Sequence, residues 1–365
     1  MNFISHHLRA WLLLALNTIA SSALIGETSA ATIEVPYKVL EMTQSLGTGS
    51  IDYVNADNDD RRLYIPRGEQ VLVFDLDTLK SVGAIPNAKA RGVAVDPESH
   101  HGFSSSSPVV MWDTKSLEII KKIEVKGRPD AILFEPSTKR IFVFSHNQPN
   151  ATVMDAKEGS VVGTIDLGGA PEQAVSDGHG RLFVDLEDKD KIAVVDVSTL
   201  KVTAHFDLAG KGGGPAGLAL DTKNHILFAF CRDPQTCVVL SADDGKIITT
   251  LPIGRGTDGG LFNPDSMEAF SSQGDGTLTI IKELSPTHFE VQQTLTTKPR
   301  AKTCTLDTKK NQIVLVTTEP GPTVVSPGGP ETAAPKIGSA PTVPPGPVAR
   351  KGNSPSFLDI IVVGR

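Results

Sequence analysis

The chain has 365 residues, with 42 acidic against 35 basic side chains and a formal net charge of −7. This acidic balance, without a long basic run, disfavours nucleic acid as a partner, because a basic face is needed to displace condensed counterions. The length, with only 5% aromatic residues, argues against one compact hydrophobic core and favours several small stacked units.

Residues 1–30 have the features of an export signal. Arg9 precedes an apolar run that begins WLLLAL, and small residues follow, with Thr28 and Ala30 placed for cleavage by a signal peptidase. The alternative is a membrane anchor, but polar residues interrupt the run well short of the ~20 apolar residues that a span needs. We therefore predict a cleaved signal peptide, a mature protein at 31–365 without a membrane span, and a periplasmic or secreted location.

A seven-fold repeat follows. Seven times a short apolar stretch ends in an acidic residue or Asn, at intervals of 39, 39, 42, 44, 42 and 44 residues. Further apolar stretches follow each of these positions, which gives four short strands in every ~40 residues, a pattern typical of β-propeller blades. The seven turn positions are Asp57, Asp96, Glu135, Asp177, Asp221, Asn263 and Asp307.

The sequence thus predicts an all-β fold, a seven-bladed β-propeller with four antiparallel strands per blade. The last unit ends without a fourth strand, and residues 37–47 (YKVLEMTQSLG) match the fourth-strand pattern of the other units. We expect this N-terminal strand to complete the C-terminal blade and close the ring, which removes two open edges. The blades cover approximately 48–87, 88–127, 128–169, 170–210, 211–254, 255–298 and 299–365 plus 37–47.

A proline-rich segment interrupts the last unit at 319–356. It contains ten prolines and no periodic apolar pattern, which predicts a disordered or polyproline-like insertion. It is either a tolerated surface insertion or an arm that recruits a partner.

Short motifs recur at matching places in the units. They include R-[LI]-[YF]-[VI] at 62–65, 140–143 and 181–184, and the stretch PDAILFEP at 129–136. With the V-[VM]-D strand ends, these motifs resemble the YVTN-type β-propeller repeat family of exported bacterial proteins, over essentially the whole mature chain. The resemblance implies a seven-bladed propeller in the periplasm or at the cell surface, and no single activity.

Counting back five positions from each of the seven turn residues gives one equivalent position at the start of each innermost strand. We call these seven positions the column, and six of the seven residues are charged. Because innermost strands line the channel of a propeller, we predict that this column forms a ring at the channel mouth. The ring binds a cation or polar ligand, or else it is a set of solvated ion pairs. Loops on the same side add His146 to the site, with Asp188, Arg232 and Asp275 as further rim candidates. The column consists of Asp52, Arg91, Asp130, Glu172, Ala216, Asp258 and Lys302.

The chain has three cysteines. Cys231 and Cys237 flank a five-residue hairpin loop, which makes them a disulfide candidate in an oxidising compartment, with Cys304 left as a buried free thiol. No CxxC, haem motif or metal-spaced histidine pair occurs after the signal, so no cofactor is expected and a metal is left open.

These observations favour an exported, non-catalytic β-propeller that binds a small ligand or an envelope protein through its channel-mouth face, as a monomer. Two alternatives stay open. One is a propeller enzyme of lactonase or lyase type, with mouth carboxylates and His146 or Arg91 as acid–base and orienting groups. The other is an accessory subunit of an envelope redox complex.

Overall fold

The computed structural model describes residues 35–321 and 355–365. The predicted signal peptide and most of the predicted proline-rich insertion lie outside the described residues. Within the described ranges, no helix is long and apolar enough to cross a membrane.

The described chain forms seven separate four-stranded antiparallel sheets, which confirms the predicted seven-bladed β-propeller. Six blades are built from four consecutive strands, and each lies inside the unit that the sequence delimits. The strands of blades 1 to 3 are β2 (Asn55–Asp57), β3 (Arg62–Arg67), β4 (Gln70–Asp75), β5 (Ser81–Pro86), β6 (Val93–Asp96), β7 (His101–Ser104), β8 (Val109–Asp113), β9 (Ile119–Ile123), β10 (Pro129–Glu135), β11 (Arg140–Ser145), β12 (Ala151–Asp155) and β13 (Val161–Ile165).

Blades 4 to 6 follow the same plan. Their strands are β14 (Pro171–Ser176), β15 (Arg181–Leu186), β16 (Lys191–Asp196), β17 (Lys201–Asp207), β18 (Pro215–Asp221), β19 (Ile226–Cys231), β20 (Thr236–Ser241), β21 (Ile247–Pro252), β22 (Thr257–Asn263), β23 (Glu268–Gln273), β24 (Thr277–Ser285) and β25 (His288–Thr296).

Blade 7 closes the ring with strands from both ends of the described chain. Its order is β26 (Thr303–Asp307), β27 (Gln312–Pro320), β28 (Ser356–Gly364) and β1 (Lys38–Gly47). β1 pairs antiparallel with β28, from Lys38 opposite Gly364 to Gly47 opposite Ser356. The predicted N-terminal closing strand is therefore confirmed.

The turn residues of the repeat have one shared structural role. Each ends or follows its innermost strand, and its side chain accepts a hydrogen bond from the backbone N–H two residues later. Asp75, Asp113 and Asp196 cap the turns between third and fourth strands by accepting from the N–H three residues on. Short acceptor side chains at these places fix the tight turns, which explains why the repeat is visible in the sequence.

The apolar core is divided into seven layers, one between each pair of neighbouring blades. In the layer between blades 1 and 2, for example, Tyr64 packs near Trp112 with a ring-centroid distance of 5.9 Å. Because both faces of each sheet are buried in this way, the strands read as nearly continuous apolar runs.

Glycine lets the innermost strands approach one another near the channel. A Cβ atom on Gly217 would lie only 2.9 Å from the backbone carbonyl carbon of Gly259 on the next blade. Such a contact is too close for any side chain, so β18 needs glycine at this position. The close approach of β18 and β22 therefore depends on the residue type in the innermost strand itself.

Candidate functional site

The six charged residues of the predicted column converge at one end of the channel. Arg91 bridges neighbouring blades, because its Nη1 lies 2.9 Å from Asp52 Oδ2 and 3.4 Å from Asp130 Oδ1. Lys302 forms an ion pair with Asp258. The common position at the start of the innermost strands thus becomes a spatial ring, as the sequence predicts.

His146 joins this ring from the loop after β11. Its Nε2 lies 3.1 Å from Asp130 Oδ2 and 3.8 Å from Glu172 Oε1, and its Nδ1 lies 4.0 Å from Glu187 Oε1. The imidazole therefore stands between the carboxylates of blades 3 and 4.

Arg232, at the end of β19, fills the gap that Ala216 leaves in the column. Its Nη1 lies 2.8 Å from Glu187 Oε2, and its Nη2 contacts Asp258 and lies 3.7 Å from Glu172 Oε1. A guanidinium from the second strand of blade 5 thus replaces the missing side chain of the first. We call the resulting set the mouth ring: Asp52, Arg91, Asp130, His146, Glu172, Glu187, Arg232, Asp258 and Lys302.

Tyr53 crosses the channel just inside the mouth ring. It follows Asp52 in blade 1, yet its hydroxyl donates a hydrogen bond of 2.8 Å to Glu172 Oε2 in blade 4. Sequence reasoning missed this residue, although the column one position further along contains mostly small residues and makes a tyrosine there conspicuous. That column consists of Tyr53, Gly92, Ala131, Gln173, Gly217, Gly259 and Thr303.

Gln173 is the other long side chain at that level. Its Nε2 donates to the carbonyl of Gly260 at 2.7 Å, and its Oε1 accepts from the N–H groups of Gly260 and Leu218 at 2.9 and 3.1 Å. Tyr53 and Gln173 thus lie at the level directly behind the mouth ring. We infer that they close the channel there and leave a shallow polar recess at its mouth.

Burial and neighbouring charges shift the pKa values of the titratable groups in this recess. It raises the pKa of Asp52 from 3.8 to about 6, and it raises the pKa of Glu172 well above its ordinary value, with the neighbouring Glu187 adding to the effect. Contact with Asp130 raises the pKa of His146, because the carboxylate stabilises the imidazolium. The recess therefore contains groups that exchange protons close to neutral pH.

Asp185 lies beside the recess and was missed by sequence reasoning. β15 continues through Leu186 and buries Asp185 completely. Neither carboxylate oxygen has a hydrogen-bond partner among the described residues, and burial, with the nearby charge of Glu172, raises its pKa well above its ordinary value. Asp185 thus favours its neutral form.

The other two rim candidates have structural roles. Asp188 accepts a hydrogen bond from the N–H of Ala170 at 2.7 Å. Asp275 accepts from the N–H of Arg255 at 2.7 Å and from Thr277. Both side chains fix loops instead of entering the mouth ring.

The predicted disulfide between Cys231 and Cys237 is not formed, since both are free, buried thiols. The strand register explains why. Cys231 lies opposite Thr236, and Cys237 lies opposite Phe230, so the two side chains point to opposite faces of blade 5. Cys231 packs between blades 4 and 5, and Cys237 packs between blades 5 and 6. Cys304 is also free, and burial raises its pKa to about 11.

Three side chains of the mouth ring are placed as metal ligands. Asp130, His146 and Glu172 each offer one donor atom, and these atoms all lie within 4.8 Å of one another. One nitrogen and two carboxylate oxygens suit a first-row divalent ion. Asp130 in β10 and His146 after β11 come from blade 3, and Glu172 comes from blade 4, so no short sequence motif reveals them.

Two cavities lie away from the mouth ring. One of about 280 Å³ is lined by residues that include Tyr37, Lys310 and Arg365. The other, of about 330 Å³, is lined by residues that include Arg67 and Gln70. At the first cavity Arg365 donates a hydrogen bond of 3.2 Å to Tyr37, which in turn donates to Glu268. The mouth ring brings together more titratable groups than this, so it is the better functional candidate.

A comparison with protein-family models finds no match for this chain, and a comparison with curated proteins finds no significant match. The resemblance to the YVTN-type repeat family therefore stays a prediction. The function has to be argued from the mouth ring itself.

Proposed function

We propose that this chain is an exported binding protein of β-propeller architecture, which holds a small ligand with a positively charged group in the recess of its mouth ring. The propeller fold is compatible with a binding or scaffold role. The export signal predicted at 1–30 supports a periplasmic or secreted location, and the repeat pattern supports a place in the YVTN-type family.

The charge balance of the mouth ring carries this proposal. Five carboxylates face three permanently charged cations, Arg91, Arg232 and Lys302. The raised pKa of Glu172 favours its neutral form in the free protein, and a bound cation would favour the ionised form, in which five carboxylates outnumber these three cations. The site therefore favours a cationic ligand. The five carboxylates are Asp52, Asp130, Glu172, Glu187 and Asp258.

The burial of these charges supports a role beyond stability. Buried ion pairs contribute little net folding energy, because desolvation offsets their attraction. Asp52 illustrates this cost, since burial raises its pKa to about 6 despite its ion pair with Arg91. Convergence of several such groups at one channel end is therefore better explained by a ligand.

Native mass spectrometry of the protein purified from its own host tests the proposal. We expect the wild type to retain a small molecule. In the double variant Asp52→Asn/Asp258→Asn, the fraction of protein with this molecule bound should be at least about tenfold lower. The matched control is Glu41→Gln/Glu124→Gln, which removes the same charge from exposed positions outside the channel. Equal retention in all three proteins, or no retained molecule in any, contradicts a mouth-ring binding function.

One observation favours acid–base catalysis of lactonase or lyase type as a second candidate. The raised pKa of Glu172 makes it a proton donor near neutral pH, and it lies 3.8 Å from the imidazole of His146. A panel of lactones and uronic-acid oligosaccharides tests this. Turnover that Glu172→Gln abolishes supports an enzyme, and absence of turnover by the wild type across the panel counts against it.

A further inference from the structure

We propose that Asp130, His146 and Glu172 form a binding site for one divalent transition-metal ion, with Zn²⁺ as the reference case. This inference rests on the proposed binding function of the mouth ring. It identifies the cation that the carboxylates of the ring bind as a metal ion.

The donor separations fit a metal centre. At ligand bonds of about 2.0–2.2 Å, neighbouring donors around a tetrahedral Zn²⁺ lie about 3.3–3.6 Å apart. His146 Nε2 lies 3.1 Å from Asp130 Oδ2 and 3.8 Å from Glu172 Oε1, values on either side of that range. These two separations are therefore close to those of donors that share one Zn²⁺ ion, and all three donor atoms lie within 4.8 Å of one another.

The hydrogen bonding of the cluster points the same way. Asp130 Oδ1 and His146 Nε2 are both buried, and neither has a hydrogen-bond partner among the described residues. The contact of 3.1 Å between the imidazole and Asp130 Oδ2 is close but not aligned for a hydrogen bond. Buried polar atoms nearly always have hydrogen-bond partners, whereas these two atoms have only ion-pair contacts, Asp130 Oδ1 with Arg91 and His146 Nε2 with Asp130 Oδ2. The incomplete hydrogen bonding of His146 Nε2 favours a ligand at that atom.

The surroundings hold the three ligands in position. Tyr53 donates to Glu172 Oε2, which leaves Oε1 on the side of His146. Glu187 Oε1 lies 4.0 Å from His146 Nδ1, so a carboxylate stands beside the ring nitrogen that the ion does not use. Metal-bound histidines commonly have such a carboxylate behind them.

Two guanidinium groups border the cluster and limit its affinity. Arg91 lies 3.4 Å from Asp130 Oδ1, and Arg232 lies 3.7 Å from Glu172 Oε1. Their charges oppose a cation, so we expect binding weaker than at a site without them. The ion also displaces the proton of His146, so affinity falls at low pH.

Isothermal titration calorimetry with ZnCl₂ and the full chain, after removal of metal with EDTA, tests the inference. We expect about one Zn²⁺ per wild-type chain, and a loss of affinity of at least about tenfold in His146→Gln. The control is His205→Gln, which changes an exposed histidine of β17 and leaves binding unchanged. Thermal melting of each variant shows whether it is folded, and Glu172→Gln is the second ligand variant should His146→Gln not fold.

Zn²⁺ binding that survives both ligand variants, or no binding by the wild type, overturns the metal site. These outcomes are separate from failure of the proposed function. Loss of a retained ligand in Asp52→Asn/Asp258→Asn without any Zn²⁺ binding refutes the metal alone. Zn²⁺ binding through His146 with equal small-molecule retention in that double variant supports the metal and refutes the proposed small-molecule ligand.

Discussion

Replacement of Glu283 by glutamine should make the protein more stable at alkaline pH. Glu283 lies in β24, is 3% exposed, and accepts a hydrogen bond of 2.7 Å from Asn224 Nδ2. Its Oε2 and Asp221 Oδ2 are buried without hydrogen-bond partners among the described residues. Burial, opposed by Asn224 and assisted by the nearby charge of Asp221, raises the pKa of Glu283 from 4.5 to about 7.

The direction of this pH effect follows from the linkage between protonation of Glu283 and folding. A carboxyl group with a raised pKa in the folded state favours folding below its unfolded value of 4.5, and this contribution is lost as the pH rises through about 7. A difference of about 2.5 pKa units corresponds to about 3 kcal/mol, which is an upper limit for the loss at pH 8. Glutamine stays neutral, can still accept from Asn224, and can donate an N–H to Asp221.

Urea unfolding of wild type and Glu283→Gln at pH 5 and pH 8 measures this effect. We expect similar free energies of unfolding at pH 5 and an advantage of about 1–3 kcal/mol for the variant at pH 8. The control is Glu124→Gln, an exposed change that should leave the pH dependence as in the wild type. The reasoning is refuted if the variant has the same advantage at both pH values, or if it is the less stable protein at pH 8.

Three further outcomes are expected. Peptide mapping without reduction should find Cys231 and Cys237 as unlinked thiols, and a peptide joined through them would contradict the register of blade 5. Gly102→Ala should destabilise the protein by about 1–3 kcal/mol in thermal melts, because its Cβ would lie 2.2 Å from the indole of Trp112; an unchanged melting temperature would show that the indole can move. Glu268→Gln should cost about 1–3 kcal/mol in urea unfolding, because it weakens the charged hydrogen bonds between buried Glu268 of blade 6 and exposed Arg365 of blade 7, and an unchanged free energy of unfolding would contradict that.

The fold was readable because its turns depend on single side chains. Asp57 and its six equivalents each accept a backbone N–H at the same place in a blade, so the chemistry of one turn recurs at a nearly fixed interval. The strand at 37–47 was recognisable for a related reason, since outermost strands share a pattern of exposed and half-buried residues. Local hydrogen bonding and strand alternation are properties that a sequence displays directly.

The site was readable only in part. The ring column could be found because a repeat converts one position in sequence into one level in space. Arg232 was harder to place, because a side chain from the second strand fills the gap at Ala216. Tyr53 contacts a blade three units away, which depends on the diameter of the channel.

The error over the cysteines has a similar origin. A spacing of six positions places Cys231 and Cys237 near each other on a hairpin. A shift of the strand register by one residue, however, decides whether the two side chains lie on the same face of the sheet. That register is set by the length of the turn from Arg232 to Gln235, and the number of residues between the two cysteines does not determine that length. The burial of Asp185 was missed for a different reason, because a charged residue near the end of a strand is typical of the start of an exposed loop.

Blade 7 makes assembly of the ring dependent on the slowest kind of contact. The other six blades each form from one continuous stretch, whereas β1 meets β28 across more than 300 residues. Long-range pairings form late, because chain entropy opposes them until other contacts shorten the path. We therefore expect an open arc of six blades to precede closure during folding. In pulse-labelling hydrogen exchange, the amides of β1 and β28 should be the last to gain protection, and the mouth ring should acquire its ligand only after that step.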